Sequence, residues 1–280
     1  MESSAGTEKL NIRGLNYNIF KRLSSRDSDK FILFLHGFCG SHAIFSHIYD
    51  SVSDEWNIIS PDLLGHGNTE SPIELVRYET EHQTADLRQI LLHYKASKCV
   101  IVGYSMGGRL AIQYAIRHSN GLKGLFLEST TAGFEDSTES LKRVEADQKT
   151  AGLIVDDFDE FLDTWNQKKV FETPTKIDKV LEKRMMDIRR NQNPAGLAHS
   201  LLGFGTGVMP PAQKFLKLIR CPVYVLAGEY DAKFIEKGRE IHGKLKNSEF
   251  QIIEKSGHRI HLENPDSYLQ KLLSFISAYT

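Results

Sequence analysis

The apolar positions of this chain come in short, dense blocks. Six of them stand out: FILFL (31–35), NIIS (57–60), KCVIVG (98–103), LKGLFLE (122–128), CPVYVLAG (221–228) and FQIIE (250–254). A strand with one wet face alternates apolar and polar residues, whereas a strand covered on both faces is apolar almost throughout. These blocks follow the second pattern. Between them lie segments with helical spacing: HAIFSHIYDSV, ADLRQILLHYKA, MGGRLAIQYAIRHS, IEKGREIHGKLK and PDSYLQKLLSFISAY. The last opens on proline, which suits a first helical turn. Strands alternating with helices predict an α/β fold, with a mostly parallel central sheet flanked by helices. KLNIRG and LNYNIF, near the start, read as an antiparallel edge hairpin. The rhythm stops between about residues 131 and 211, a polar, helix-prone stretch anchored by Phe161, Trp165 and Phe171. A helical insertion between two core strands commonly covers the strand ends. The expected organisation is therefore a core of residues 1–130 and 212–280 with a helical cap, 131–211, inserted in it.

Composition narrows the function classes. Of 280 residues, 40% are hydrophobic and 25% charged, which suits a globular chain with a sizeable core. The formal net charge of -1 supplies no basic field for nucleic acid or for an acidic membrane surface. Neither partner is expected. Cys39, Cys99 and Cys221 form no CxxC pair, so neither a disulfide framework nor a metal site is anticipated. The opening MESSAGTEKLNIRG lacks an apolar signal core, and no run is long enough to span a bilayer. These features lead to the expectation of a cytoplasmic protein, monomer or homodimer.

Chemistry enters at VGYSMGGR, where Ser105 lies between Gly103 and Gly107. It follows a predicted strand and opens a predicted helix. That is the strand–GxSxG–helix context of a nucleophile elbow, where the tight turn leaves no room for larger neighbours. A serine hydroxyl needs a base to react, and on this topology an acid and then a histidine should follow in the chain. Asp231, after CPVYVLAG, and His258, after FQIIE, fill those places, with Glu229 and His261 as the competing choices. An oxyanion site needs two convergent backbone N–H groups. Met106, at the helix start, supplies one candidate. Phe38, in the HGFCGS loop after FILFL, supplies the other. His36 reads as a residue that orients this loop, and SPDLLGHGNT (60–69) as a structural turn.

Arg109 is less expected. It lies four residues after Ser105 and so shares its helix face. It reads either as a solvated surface arginine or as a cation at the pocket edge, where it would select an anionic substrate, most simply a carboxylate held by two parallel bonds. The 131–211 stretch adds Arg143 and Arg189, but its acids and bases balance, so charge counting settles nothing there.

Several stretches taken together are more specific. FLHGFCGS, DLLGHG, VGYSMGGRLA, LEST, TWNQKKVF, IRRNQNPAGLAHSL, GTGVMP, LAGEYDAKF and SGHRIHLENP span residues 34 to 265. By these the chain resembles the α/β-hydrolase superfamily and, within it, the 2-succinyl-6-hydroxy-2,4-cyclohexadiene-1-carboxylate (SHCHC) synthases of menaquinone biosynthesis. The resemblance implies a carbon–oxygen lyase that eliminates pyruvate from an enolpyruvyl cyclohexene tricarboxylate and needs no metal or organic cofactor. It implies that Arg109, Arg143 and Arg189 bind substrate, with Arg190 as the alternative to Arg189, and that Tyr104 and Trp165 line the pocket. Lys168-Lys169 departs from the lower charge expected before Val170-Phe171. Two other readings keep the same residues: a serine hydrolase for an anionic substrate, and a non-catalytic protein that binds an anion.

Overall fold

The computed structural model describes residues 5–278. Eight strands form one sheet in the order β1-β2-β4-β3-β5-β6-β7-β8. The hairpin of β1 (Ala5–Ile12) and β2 (Leu15–Arg22) closes one edge, antiparallel as its sequence predicts, and β2 pairs antiparallel with β4 (Asn57–Pro61). The remaining pairings are parallel, through β3 (Lys30–Leu35), β5 (Lys98–Tyr104), β6 (Leu122–Glu128), β7 (Val223–Gly228) and β8 (Ser248–Ile253). All six apolar blocks are strands.

Both faces of the sheet are covered, which is why the blocks are continuously apolar. On β3 the odd positions Phe31, Leu33 and Leu35 join one core cluster, while Ile32 and Phe34 join the other. The first cluster packs under α2 (Thr80–His93) and α3 (Met106–Arg117). The second packs under a short turn, α1 (Ser46–Tyr49), and the C-terminal helix (Pro265–Ser277). HAIFSHIYDSV was expected to form one helix. It instead forms a four-residue 3-10 turn, His42–Phe45, followed by the single turn α1.

No strand occurs between β6 and β7. The chain there runs through α4 (Ser137–Asp156), α5 (Phe158–Asn166), a 3-10 turn (Lys169–Phe171), α6 (Lys179–Arg190) and α7 (Pro194–Phe204). Their starts follow from sequence: Asp136, Asp157, Asp178 and Asn193 each cap a helix by accepting bonds from the first free N–H groups. A third apolar cluster joins α4, α5 and α7 and includes Cys39 from the loop after β3. These helices thus rest on the carboxyl ends of the parallel strands. After β7 come α8 (Ala232–Lys244), α9 (Ile260–Glu263) and the C-terminal helix, α10. Among the described residues no helix is long and apolar enough to cross a membrane.

The ends of β7 and β8 meet closely at one glycine. A Cβ at Gly228 would lie 2.1 Å from the Gly257 carbonyl oxygen and 2.4 Å from that of Ser256. Backbone cannot yield as a flexible side chain can. Gly228→Ala is therefore expected to cost about 2 kcal/mol or more in urea denaturation, and a cost under about 0.5 kcal/mol would contradict this packing.

Candidate active site

The turn from β5 into α3 places Ser105 at φ 50, ψ −106, a left-handed conformation that few non-glycine residues adopt. Its neighbours show what forces this. A Cβ at Gly103 would stand 2.7 Å from the Gly108 Cα, and one at Gly107 would stand 2.1 Å from the Leu35 carbonyl oxygen. The helix start is pressed against the end of β3, and only glycine fits. Backbone bonds hold the turn: Ser105 N–H donates to Glu128 O at 2.9 Å, and Thr130 Oγ1 donates to Ser105 O at 2.7 Å.

His258 Nε2 lies 3.1 Å from Ser105 Oγ, and His258 Nδ1 lies 2.7 Å from Asp231 Oδ2. The serine, histidine and acid expected from chain order are therefore in contact. Asp231 is fixed by a second duty. It caps α8, with Oδ1 accepting from Phe234 N–H at 3.3 Å. An ionised acid on Nδ1 holds the proton there and leaves Nε2 to accept from the serine. Rings of Phe234, Tyr104 and Phe171 surround the imidazole, with centroids 4.5, 5.5 and 5.7 Å away, and restrict water around it. The competing residues have other partners. Glu229 Oε2 accepts from Lys255 N–H at 2.9 Å. His261 is fully buried and pairs through Nδ1 with Glu128 at 2.8 Å, beneath Tyr104.

The Phe38 and Met106 N–H groups have no acceptor among the described residues. Both residues line the cavity with Ser105. The Gly37 turn lies directly over the serine, since a Cβ on Gly37 would sit 3.5 Å from Ser105 Cβ. His36 orients that turn. Its Nδ1–H donates to Gly37 O at 2.8 Å, and its Nε2 accepts from Leu63 N–H at 2.9 Å. Asp62, in the SPDLLGHGNT turn, accepts from Asn18 Nδ2, His42 N–H and Asn68 N–H, which is a structural role.

The cavity above the serine has a volume of about 440 Å³. Seven lysine and arginine residues line it against a single acid, Asp147. Arg109 is one of them and is 7% exposed. Its Nη1 donates to Phe204 O at 2.8 Å and lies 3.4 Å from Met209 Sδ, and its guanidinium stacks on Phe204. Burial pulls its pKa down to about 9. Of the two readings of Arg109, the solvated one is excluded. Arg189 is buried, stacks on Phe171 and bonds Asn166 Oδ1, whereas Arg190 is exposed and does not line the cavity. Arg143 reaches the cavity from α4, its Nε donating to Asp147 Oδ1 at 2.9 Å. Trp165 packs on Phe38 with centroids 5.0 Å apart, and its Nε1–H is buried with no partner among the described residues. Lys168 places Nζ 4.1 Å from the centre of the Trp165 ring, so the lysine pair departs from expectation by adding charge to the wall.

Sequence reasoning missed Arg259, Lys233 and Asp147. Arg259 follows the histidine in SGHRIH. It bonds Glu263 through Nε at 3.0 Å and Phe171 O through Nη2 at 3.3 Å, tying the histidine loop to the 3-10 turn. Lys233, two residues after Asp231, lines the cavity, and burial together with Arg143 lowers its pKa. Asp147 was signalled by its place four residues after Arg143, the spacing at which helical ion pairs form. Among the described residues no group of three His, Cys, Asp or Glu side chains could hold a metal ion.

An eight-stranded sheet with a serine elbow, a histidine and an acid at its strand ends defines an α/β-hydrolase fold. The family described as the alpha/beta hydrolase fold matches residues 30–265. A Bacillus subtilis (strain 168) protein, named as a candidate SHCHC synthase, is 34% identical over 248 residues, covering 88% of this chain and 90% of that protein. The SHCHC synthase of Shigella flexneri serotype 5b (strain 8401) is 27% identical over 246 residues, 88% of this chain and 93% of that one. The solved structure of MenH from S. aureus superposes with a TM-score of 0.88 at 29% identity, covering 94% of this chain and 98% of that chain. The chain belongs to the α/β-hydrolase fold family and, within it, to the family of SHCHC synthases, which are enzymes.

Two buried histidines, His36 and His66, and the half-buried His47 make stability acid-sensitive. Burial lowers His36 and His47 from 6.5 to about 4, and His66 to about 3. Their folded pKa values lie below the unfolded ones, so below pH 6.5 the unfolded chain binds more protons and gains on the folded state. The urea midpoint is expected to hold above pH 6.5 and to fall as pH drops towards 4. A midpoint that rises over this interval would contradict the neutral histidines.

Proposed function

We propose that this protein is a lyase of menaquinone biosynthesis that eliminates pyruvate from 2-succinyl-5-enolpyruvyl-6-hydroxy-3-cyclohexene-1-carboxylate to give SHCHC. The observation that carries this reading is the cavity wall, with seven cationic residues and one acid around a serine that contacts a histidine. A neutral ester has no use for such a wall. A desolvated guanidinium is costly unless it meets an anion. The substrate brings three carboxylates, and the relatives named above carry the name of this reaction's enzyme.

The chemistry uses the residues in their observed places. Ser105 Oγ, its proton passed to His258 Nε2, removes the hydrogen α to the succinyl ketone. Asp231 keeps the imidazole in the required tautomer and balances the imidazolium. The ketone oxygen gains charge as the hydrogen leaves, and the free N–H groups of Phe38 and Met106 stabilise it. This charge exists only as the reaction proceeds, so these donors favour the transition state over the ground state. The electron pair moves through the ring alkene to form the conjugated diene and expels the enolpyruvyl oxygen. The departing enolate takes a proton and becomes pyruvate. Ser105 acts as a base and forms no acyl-enzyme. Arg109, Arg143 and Arg189 hold carboxylates, Tyr104 and Trp165 hold the ring, and the segment 131–211 serves as a cap.

Pyruvate release from the precursor, generated enzymatically in situ, tests the reading. Ser105→Ala is expected to lower kcat by about 10³-fold or more with an unchanged melting temperature. Pyruvate release by wild type no faster than the spontaneous rate would return the protein to the serine hydrolases of anionic substrates. Arg109→Ala and Arg143→Ala should each lower kcat/KM for the tricarboxylate by about 10²-fold while changing hydrolysis of a neutral activated ester less than about threefold. Equal losses on both substrates would make the arginines structural.

A further inference from the structure

Asp147 is the one acid in a wall otherwise built to attract anions. It lies on α4 and is 6% exposed. Its Oδ1 accepts from Arg143 Nε at 2.9 Å, and its Oδ2 is enclosed with no partner among the described residues. Burial raises its pKa, against the fields of Arg143, Arg109 and Lys168, which lower it. Leaving a buried carboxylate oxygen without a donor costs more than a solvated helical ion pair gains. Stability alone therefore gives no reason for an acid at this position.

The turn after α7 is shaped around this group. A Cβ at Gly205 would lie 2.5 Å from Asp147 Oδ2, and one at Gly207 would lie 2.6 Å from Ser140 O. Ser140 Oγ donates back to Gly207 O at 2.6 Å. The same turn receives Arg109 at Phe204 O and Met209 Sδ. The GTGVMP stretch thus seats the acid on one side and a buried guanidinium on the other. Arg143 gives only its Nε to Asp147, so Nη1 and Nη2 have no acceptor among the described residues.

We propose that Asp147 is a positioning residue for anion recognition. By occupying Nε, it turns the Nη1–Nη2 fork of Arg143 towards the cavity, where the fork takes a substrate carboxylate through two parallel bonds. This inference rests on the reading of the cavity as a polycarboxylate site.

The test compares wild type with Asp147→Asn, Asp147→Ala, Arg143→Ala and the Asp147→Ala/Arg143→Ala double variant. Each is followed by steady-state pyruvate release and by calorimetric binding of citrate, a tricarboxylate probe that does not react. Asparagine keeps an acceptor for Nε. Asp147→Asn should leave KM and the citrate Kd within about threefold of wild type, while Asp147→Ala raises both about tenfold with kcat changed less than about threefold. In the Arg143→Ala background, removing Asp147 should change KM less than about twofold. Three results would overturn the proposal: equal behaviour of the Asn and Ala variants, an undiminished effect of Asp147→Ala without Arg143, or a loss confined to melting temperature and kcat. A wild type that binds citrate but releases no pyruvate would sink the functional reading, and the citrate series would still decide the role of Asp147.

Discussion

The structure depends on a single tight turn. Ser105 is held at a positive φ because the start of α3 is pressed against the end of β3, with the Leu35 carbonyl oxygen where a Gly107 side chain would be. This one contact presents the serine hydroxyl above the strand ends and aims the first N–H of the helix at the same point. It also brings the HGF turn over the serine. Strain of this kind persists only where the surroundings over-determine it. Here the parallel pairing of β3, β5 and β6 and the bonds from Ser105 to Glu128 and Thr130 do so.

The second constraint is electrostatic. Arg109 and Arg189 are almost wholly enclosed by protein, and neither has a carboxylate bonded to it. Carbonyl and amide oxygens and aromatic faces partly replace the water they lose. What remains is a field directed into the cavity, strengthened by Lys168, Lys233 and Arg143 and moderated by Asp147. A low-dielectric enclosure makes each of these charges count for more than it would at the surface. The same enclosure surrounds His258 with aromatic rings. In the proposed reaction, proton transfer between Ser105 and His258 and charge build-up beside the two free N–H groups would share this one enclosure.

How much of this the sequence announced depended on whether the cause was local. The strands were legible because burial on both faces writes itself as unbroken apolar runs. The elbow was legible because steric crowding writes itself as glycines at fixed offsets from the serine. Asp231 and His258 could be placed because both directly follow strands. Arg109 could not be resolved from spacing, because its burial depends on Phe204 and Met209, about a hundred residues away. Arg189 was separated from Arg190 only by how α6 rotates onto the site. Arg259 draws its meaning from Phe171, which no local pattern records; the spacing of Asp147 from Arg143 is local, but its burial against Gly205 is not. The apolar spacing of HAIFSHIYDSV predicts one helix, yet the segment breaks into a 3-10 turn and one α-turn. His42 is held there by Asp62, through both its N–H and its ring, so a distant acid sets the geometry of that segment.

In the proposed lyase reaction, a serine in a nucleophile elbow works as a base. Intact-protein mass, taken by rapid quench during turnover of the enolpyruvyl precursor, tests it most directly. The expected result is unmodified protein at every time point while pyruvate and the conjugated diene accumulate. A transient covalent adduct that maps to Ser105 and decays at the rate of turnover would contradict it and would show nucleophilic catalysis instead.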